Sequence, residues 1–350
     1  MILCGVNHMN YNNIAVLIPA YKPDRRLNQL VDDLISAGFP RIVVVDDGGG
    51  EPFRAIFNDL TDKAEVLVHE VNRGKGAALK TGLAHLCKTP GVSVVTADAD
   101  GQHTPADVKK IADMLIEKPD HLVMGVRDKK QMPPRSKFGN TLTCGVFALT
   151  TGLWISDTQT GLRGLPAAEL AAFSVLDGDR YEYEMNMLID VAKRKVSVSE
   201  IKIDTIYIDD NASSHFNAVK DGLRIYKLLF GKVGAFMGSS LCSAVVDYLM
   251  FILLRWLVPG IMLVAVAGSR IVSSLFNYFV NREVVFKAKA DHGSFVRYYL
   301  LVATIMLLNY LGIMALTSIG LGDVFAKIIM DALLFIVSYR VQNKIVFKKK

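Results

Sequence analysis

Residues 231–350 contain four apolar stretches, roughly 233–254, 260–280, 296–318 and 324–342. Each is close to the ~20 residues an α-helix needs to cross a bilayer. Nothing comparable precedes residue 230, so the sequence divides into a region built for water and a region built for lipid. Composition follows the same division. The whole chain is 51% hydrophobic and 21% charged, with a net charge of +6. The last 120 residues hold 13 Lys+Arg against 5 Asp+Glu, whereas the first 230 hold 27 against 29. Positive charge confined to the apolar third indicates a membrane partner. A nucleic-acid partner would require the basic surface on a soluble face.

Charge also orients the apolar segments. The loop 281–297 carries Arg282, Lys287, Lys289 and Arg297, and the tail carries Arg340, Lys344 and three terminal lysines. The other two turns, "RWLVPG" and "SIGLGD", are nearly free of positive charge. The positive-inside rule then predicts both termini in the cytoplasm. The first residues lack a charged and apolar leader pattern, so the first domain is expected in the cytoplasm as well. Cysteines 4, 87, 144 and 242 have no zinc or disulfide spacing.

The first 210 residues alternate apolar runs with helical patterns. Strands are predicted at 14–21, within 41–50 ahead of its acids and glycine turn, and at 65–70, 92–100 and 121–128, and helices at 27–38, 74–86 and 105–117. Near-continuous Val/Ile strands separated by helices predict a mostly parallel sheet covered on both faces. Ligands bind at the carboxyl ends of such strands, which makes Tyr21, Asp46, Asp47, Asp98, Asp100 and Arg127 the candidates. Asp98 and Asp100 are the most telling. Two carboxylates one residue apart repel each other unless a cation lies between them. A hard cation such as Mg²⁺ or Mn²⁺ takes oxygen ligands and shares its shell with substrate phosphates, so this D-x-D reads as a metal and diphosphate site. Residues 216–230 place Phe216, Val219, Leu223, Tyr226 and Phe230 on one stripe, the pattern of a helix lying on a membrane surface.

The runs "IAVLIPAYKPD", "VVVDDGGG", "NRGKGAAL" and "TADADGQH", in this order and spacing, resemble the family 2 glycosyltransferases of the GT-A fold. Within that family the chain is most similar to the polyprenyl-phosphate sugar synthases, the dolichol-phosphate-mannose and undecaprenyl-phosphate-glucose type. "GVRD", "PPRSKFGN" and "SDTQTGLRG" extend the likeness across residues 13–215. The resemblance implies that Pro19, Tyr21, Asp46 and Asp47 line the nucleotide pocket, and that Asp98, Asp100 and Gln102 hold the metal and diphosphate. It implies that Arg127 and Arg135 meet the acceptor phosphate, and that Asp157 and Arg163 border sugar and acceptor. Two departures stand out: Lys22-Pro23-Asp24 replaces the usual Asn-Glu, and "DDGG" replaces "DDGS". The last third, through "SRIVSSLFNYFVNREVVF" and "IVSYRVQNKIVF", resembles the GtrA-like membrane family, which is generally thought to move or present lipid-linked sugars.

The expected organisation is therefore an α/β GT-A domain at 1–215, an interfacial helix at 216–231 and a four-helix transmembrane domain at 232–350. The expected activity is transfer of one hexose, from UDP-glucose or GDP-mannose, to a polyprenyl phosphate. The rival is a lipid-sugar translocator whose first domain only binds. A processive polymer synthase is disfavoured because no Q-x-x-R-W element is present. "NRGKG" lacks the P-loop spacing; Lys75 is either a nucleotide ligand or a bystander to glycines that allow close packing. Glu182 and Glu184 fall at a helix start, beside the acceptor by resemblance. The lone His103 and His215 carry no role as bases. Asp247, Arg270, Lys327 and Asp331 interrupt the apolar segments and are expected to pair, because charges in a bilayer are costly. The small residues Gly238, Ser239, Ser240 and Ser243 suit helix packing within one chain or in a homo-oligomer.

Overall fold

A computed structural model describes residues 10–204, 220–258, 261–289 and 291–347. The predictions that fall on 205–219, including His215 and the start of the interfacial helix, lie outside the described residues, as do the side chains of Leu223, Tyr226 and Phe230. Two compact units emerge, Met1–Leu228 and Leu229–Lys350.

The first unit is built on a seven-stranded sheet: β1 (Ile14–Ala20), β2 (Arg41–Asp46), β3 (Glu65–Val68), β4 (Ser93–Thr96), β5 (Leu122–Arg127), β6 (Arg163–Leu165) and β7 (Val198–Ile203). Their spatial order is β3-β2-β1-β4-β6-β5-β7. The first four strands pair in parallel, with Pro19 opposite Val45, Ala20 opposite Asp46 and Leu17 opposite Thr96. β6 is antiparallel to both β4 and β5, and β7 returns parallel to β5. The carboxyl ends of β1, β2, β4 and β5 therefore share one edge, and the loop entering β6 arrives at that same edge. The five expected strands are present. β6 and β7 were not foreseen: three residues, "RGL", carry too little pattern, and "VSEIKI" is interrupted by charge.

Helices α1 (Arg26–Ser36), α2 (Arg54–Asn58), α3 (Lys75–Leu86), α4 (Pro105–Glu117), α5 (Pro134–Thr151), α6 (Leu170–Ser174) and α7 (Glu182–Arg194) accompany the sheet. α1 buries Leu27, Leu30, Val31 and Leu34, spaced for one helical face, and α4 buries Val108, Ile111, Ala112 and Leu115 in the same cluster as Val16, Ile18 and Val44. Each buried Leu contributes about 2 kcal/mol by leaving water. α4 starts sharply because Pro105 occupies its first turn and the Thr104 hydroxyl accepts the Asp107 N–H at 3.1 Å.

The second unit contains most of α8 (Lys220–Leu257), then α9 (Met262–Val280), α10 (His292–Ser318) and α11 (Asp323–Val341). Three of the four, over Val233–Leu257, Met262–Val285 and Gly293–Ser318, are long and apolar enough to cross a membrane. α11 has the expected position and is 19 residues long, but Asp323, Lys327, Asp331 and Arg340 keep it below that standard. The expected pairings are present: Arg270 Nε lies 3.6 Å from Asp247, and Lys327 Nζ lies 3.1 Å from Asp331, which also accepts from Asn309 at 2.7 Å.

This unit is a hairpin used twice. α8 ends at 257 and α10 at 318; α9 runs 262–280 and α11 runs 323–341; each second helix passes into a π-turn, 281–285 and 342–346. The ends of the first helices and both bounds of the second helices and π-turns recur 61 residues later. The contacts between the copies are reciprocal. Phe286 and Phe347 stack on each other at 5.3 Å, Tyr278 meets Phe347, and Tyr339 meets Phe286. Asn281 Nδ2 donates to Gln342 Oε1 at 3.1 Å. Asn281 is fully buried and also accepts from Ser239, so its amide is satisfied from both sides.

Candidate active site

The shared strand edge collects the site. β2 delivers Asp46 and Asp47, and the two carboxylates have different surroundings. Asp46 accepts the Gly49 N–H at 2.9 Å, closing the turn that follows the strand. Asp47 is turned inward. It accepts from His69 Nδ1 at 2.8 Å, Asn72 Nδ2 at 3.0 Å, Arg73 N–H at 2.9 Å and Gly74 N–H at 2.8 Å. Four acceptor positions on one carboxylate are thereby used, so Asp47 anchors the 69–74 loop. The turn needs glycine at 48: φ is +72°, and a Cβ there would stand 2.3 Å from the Val71 backbone.

That anchored loop leads into α3 and sets Lys75 at its first residue. The neighbouring glycines serve close packing, since a Cβ on Gly74 or Gly76 would strike the backbone of Asp179 or Arg180 or the Tyr183 side chain. Lys75 itself is a direct part of the site. Its ammonium lies 2.7 Å from Asp98 and 3.3 Å from Glu184 on α7, with the Tyr181 ring centre 5.8 Å away. Burial disfavours the charged lysine, but Asp98 and Glu184 more than offset that and hold its pKa above the ordinary value.

Asp98 follows β4. Its backbone N–H donates to His103 Nδ1 at 3.0 Å, and burial pushes the His103 pKa below its ordinary value. Burial opposes ionisation of Asp98, yet Lys75, with Arg127 further off, brings its carboxyl down to about 2. Asp100 goes the other way: burial and the neighbouring Asp98 charge push it up. The Gln102 N–H donates to Asp100 at 3.0 Å. Such a pair has a shortage of positive charge that a divalent cation would supply, and its oxygen donors suit Mg²⁺ or Mn²⁺. Among the described residues no group of three or more His, Cys, Asp and Glu side chains stands ready to hold a metal. A cation at Asp98 and Asp100 would complete its shell with phosphate oxygens or water.

Across the edge, Arg127 ends β5. Its guanidinium grips Asp157 in two bonds, Nε at 2.7 Å and Nη2 at 3.0 Å, while Asn140 of α5 donates to the same carboxylate at 3.0 Å. Asp157 is 0% exposed. Burial opposes its charge, and Arg127 holds the carboxyl below the usual range. Arg163, expected to border sugar and acceptor, is 1% exposed. It donates to the carbonyls of Thr160 at 2.9 Å and Glu184 at 2.8 Å, tying the loop before β6 to α7. Pro19 and Tyr21 stand at the end of β1, with the Lys22 ammonium 5.3 Å from the Tyr21 ring. Asp24 pairs with Arg26, Nε to Oδ1 at 2.9 Å. Arg135 falls in the first turn of α5, its side chain outside the described set.

One residue the motifs did not single out is Gly161. A Cβ there would stand 2.3 Å from Asp98 Oδ2, so only a bare backbone lets the carboxylate lie where it does. The Gly161 carbonyl also accepts from Thr96 Oγ1 at 2.7 Å, fixing this loop to β4. Glu184, a weak candidate by sequence, joins the site through Lys75.

A mostly parallel sheet with paired carboxylates and cations along its carboxyl edge, in a chain with bilayer-length helices, defines a membrane-associated α/β protein with a ligand site at its strand ends. The chain belongs to the family 2 glycosyl transferases: that family's model matches residues 15–165, and the GtrA/DPMS transmembrane domain matches residues 235–347. The UDP-N-acetylglucosamine–dolichyl-phosphate N-acetylglucosaminyltransferase of Methanococcus voltae is 31% identical over 242 residues, covering 63% of this chain and 96% of that protein. The dolichyl-phosphate beta-glucosyltransferase of Dictyostelium discoideum is 28% identical, covering 62% and 75%. Among solved structures, glucosyl-3-phosphoglycerate synthase from Mycobacterium tuberculosis aligns with a TM-score of 0.48 at 20% identity, covering 63% of this chain and 78% of that one.

Proposed function

We propose that this protein transfers one hexose or N-acetylhexosamine from a nucleoside-diphosphate sugar to a polyprenyl phosphate, at the cytoplasmic face of a membrane, with inversion at the anomeric carbon. The observation that carries the reading is the assembly at one strand edge of Asp98, Lys75 and Glu184 beside the Arg127–Asp157 pair. The activities named for the two relatives, both acting on dolichyl phosphate, support the acceptor class. The Methanococcus relative favours a uridine nucleotide, so UDP-N-acetylglucosamine joins UDP-glucose and GDP-mannose as a donor to test.

A polyprenyl phosphate needs little activation. The second pKa of a phosphomonoester is ~6, so its oxygen is already a nucleophile near neutral pH. Attack on the anomeric carbon, opposite the departing diphosphate, forms one C–O bond as the other breaks and inverts the centre. Arg127, fixed by Asp157, offers a guanidinium suited to the acceptor's phosphate. Lys75 contributes a second positive charge where the diphosphate gathers negative charge. Asp98, Asp100 and Gln102 would hold Mg²⁺ or Mn²⁺, which would supply Lewis-acid neutralisation of the leaving group. Asp47, Arg163 and Gly161 act by position: they set the loops that present Lys75, Glu184 and Asp98.

The test is radiolabel transfer by purified full-length protein to undecaprenyl and dolichyl phosphate, with each donor in turn, with Mn²⁺ and with EDTA. A lipid product from one donor, lost with EDTA, supports the reading and names the sugar. Absence of product from every donor, in folded protein that binds nucleotide, overturns it in favour of the translocator.

A further inference from the structure

The repeat in the membrane unit places charge as well as aromatic rings. Arg270 is the ninth residue of α9, and Asp331 is the ninth of α11. The two helices bury the same positions: Ala265 answers to Ala326 and Tyr278 to Tyr339, with Ser273 answering to Leu334. Arg270 and Asp331 therefore occupy one place on one outer face, at one depth, in the two halves. The seam contacts, Tyr278 with Phe347 and Tyr339 with Phe286, are reciprocal, which is the signature of a two-fold relation. A two-fold relation turns the two outer faces to opposite sides of the unit.

Both charges are badly placed for a lone copy in lipid. The helical rise sets each about 12 Å from the start of its helix, and an aspartate side chain is too short to span that distance to water. Charges at such a depth pair with one another or face a polar interior. Yet the Arg270 side chain is 77% exposed, with Nε 3.6 Å from Asp247, and the Asp331 side chain is 51% exposed beside Lys327. One face thus offers an exposed guanidinium, and the opposite face an exposed carboxylate. We propose that copies of this chain associate head to tail within the membrane, the Arg270 face of one against the Asp331 face of the next. Charge complementarity selects a second copy as the occupant. Copies inserted in the same direction bring the two groups to the same depth without a shift, and the joint sets Asp247, Arg270, Asp331 and Lys327 in alternating sign. A lipid phosphate would answer the guanidinium but not the carboxylate. Because the two faces differ, the contact builds a ring or a chain rather than a closed dimer.

Cross-linking tests the geometry. Leu263 and Val324 are both exposed and lie seven residues before Arg270 and Asp331, on the same faces. In full-length protein with Cys4, Cys87 and Cys242 replaced by Ser, Leu263→Cys copies and Val324→Cys copies carry different tags and are co-expressed in one membrane. The expected result is a disulfide between unlike copies on oxidation and little between like ones. A single chain carrying both substitutions should give species beyond the dimer. Counting photobleaching steps at high dilution in lipid measures the strength. Wild type should show more than one copy, Arg270→Gln and Asp331→Asn should each weaken association by about 10-fold or more, and the double variant should lose little further. The cysteine pairs keep all four charges, so that arm decides the question even where a charge variant fails to insert. Cross-links between like positions, or a wild-type monomer at every dilution, overturn the proposal and leave Arg270 to Asp247 or to a lipid phosphate. Association is read without sugar transfer, so either result is independent of the reaction proposed above.

Discussion

Gly161→Ala is the sharpest perturbation of the site. The added methyl would stand 2.3 Å from Asp98 Oδ2 and 2.8 Å from its Cγ. Ordinary contacts lie near 3.5 Å, so relief requires a shift of about 1 Å. Asp98 has little freedom to give: Lys75 holds its carboxylate at 2.7 Å and His103 holds its backbone N–H. Gly161 itself is tied to Thr96. The shift therefore falls on the group expected to bear the cation. A displacement of about 1 Å at a reacting centre costs on the order of 100-fold in rate. The backbone at 161 does not have a left-handed φ, so alanine adds no strain there and the fold should survive. The assay is initial rate of sugar transfer against Mn²⁺ concentration, alongside thermal unfolding. The expected result is a rate loss of about 100-fold and a higher Mn²⁺ requirement, with melting nearly unchanged. Gly145→Ala is the control, since its Cβ meets nothing and it sits in a helix. It should keep its rate and gain roughly 0.5–1 kcal/mol of stability. A Gly161→Ala protein with wild-type rate and metal demand would refute the placement of Asp98 at the centre of the chemistry.

Asp47→Ala strands four donors at once and should destabilise the first unit by about 3 kcal/mol, seen as a lower denaturant midpoint, whereas Asp46→Ala should cost less. Asp157→Ala leaves the Arg127 charge without its partner and should cost a similar amount, with transfer lost. The pH dependence of that pair follows from its sign. The folded Asp157 carboxyl is held below its unfolded value, so its contribution is complete above about pH 4 and disappears as pH falls through the lower folded value. Melting temperature should drop on acidification in wild type and be flatter over that range in Asp157→Asn. In the membrane unit, Phe286→Ala and Phe347→Ala should each cost about 3 kcal/mol and the double variant less than their sum, because each removes the same stacked contact. Heat unfolding in detergent reads all three.

What the sequence disclosed depended on distance along the chain. β1, β2 and β4 were legible because a strand buried on both faces writes itself as uninterrupted Val and Ile. The D-x-D was legible because both carboxylates lie in one turn. The doublet Asp46-Asp47 was only half legible: a motif names both residues but cannot say which turns inward, and four donors from 69–74 decide it for Asp47. Arg163 was placed beside sugar and acceptor by resemblance alone, and its guanidinium donates to backbone carbonyls of its own unit. The partnership of Asp98 with Gly161 spans more than 60 residues, and it exists only because β6 runs antiparallel against β4. No local pattern announces a strand of three residues. α5 was missed for a related reason: its buried face mixes Asn140 and Thr143 with Val146 and Phe147, and its exposed face carries Phe138 and Leu142, so no clean apolar stripe marks it.

The doubled hairpin changes how the membrane unit can evolve. A protein with one such hairpin would have to find its mate by diffusion, and both halves would carry identical substitutions. Here the stack of Phe286 on Phe347 and the amide bond of Asn281 to Gln342 are between halves of one chain, so the encounter is guaranteed and the halves are free to diverge. The halves differ at corresponding positions: Arg270 in one answers to Asp331, 61 residues on, in the other. The first pairs with Asp247, and the second with Lys327 and Asn309. A shared aromatic seam relates the two halves, while their corresponding polar positions take different partners.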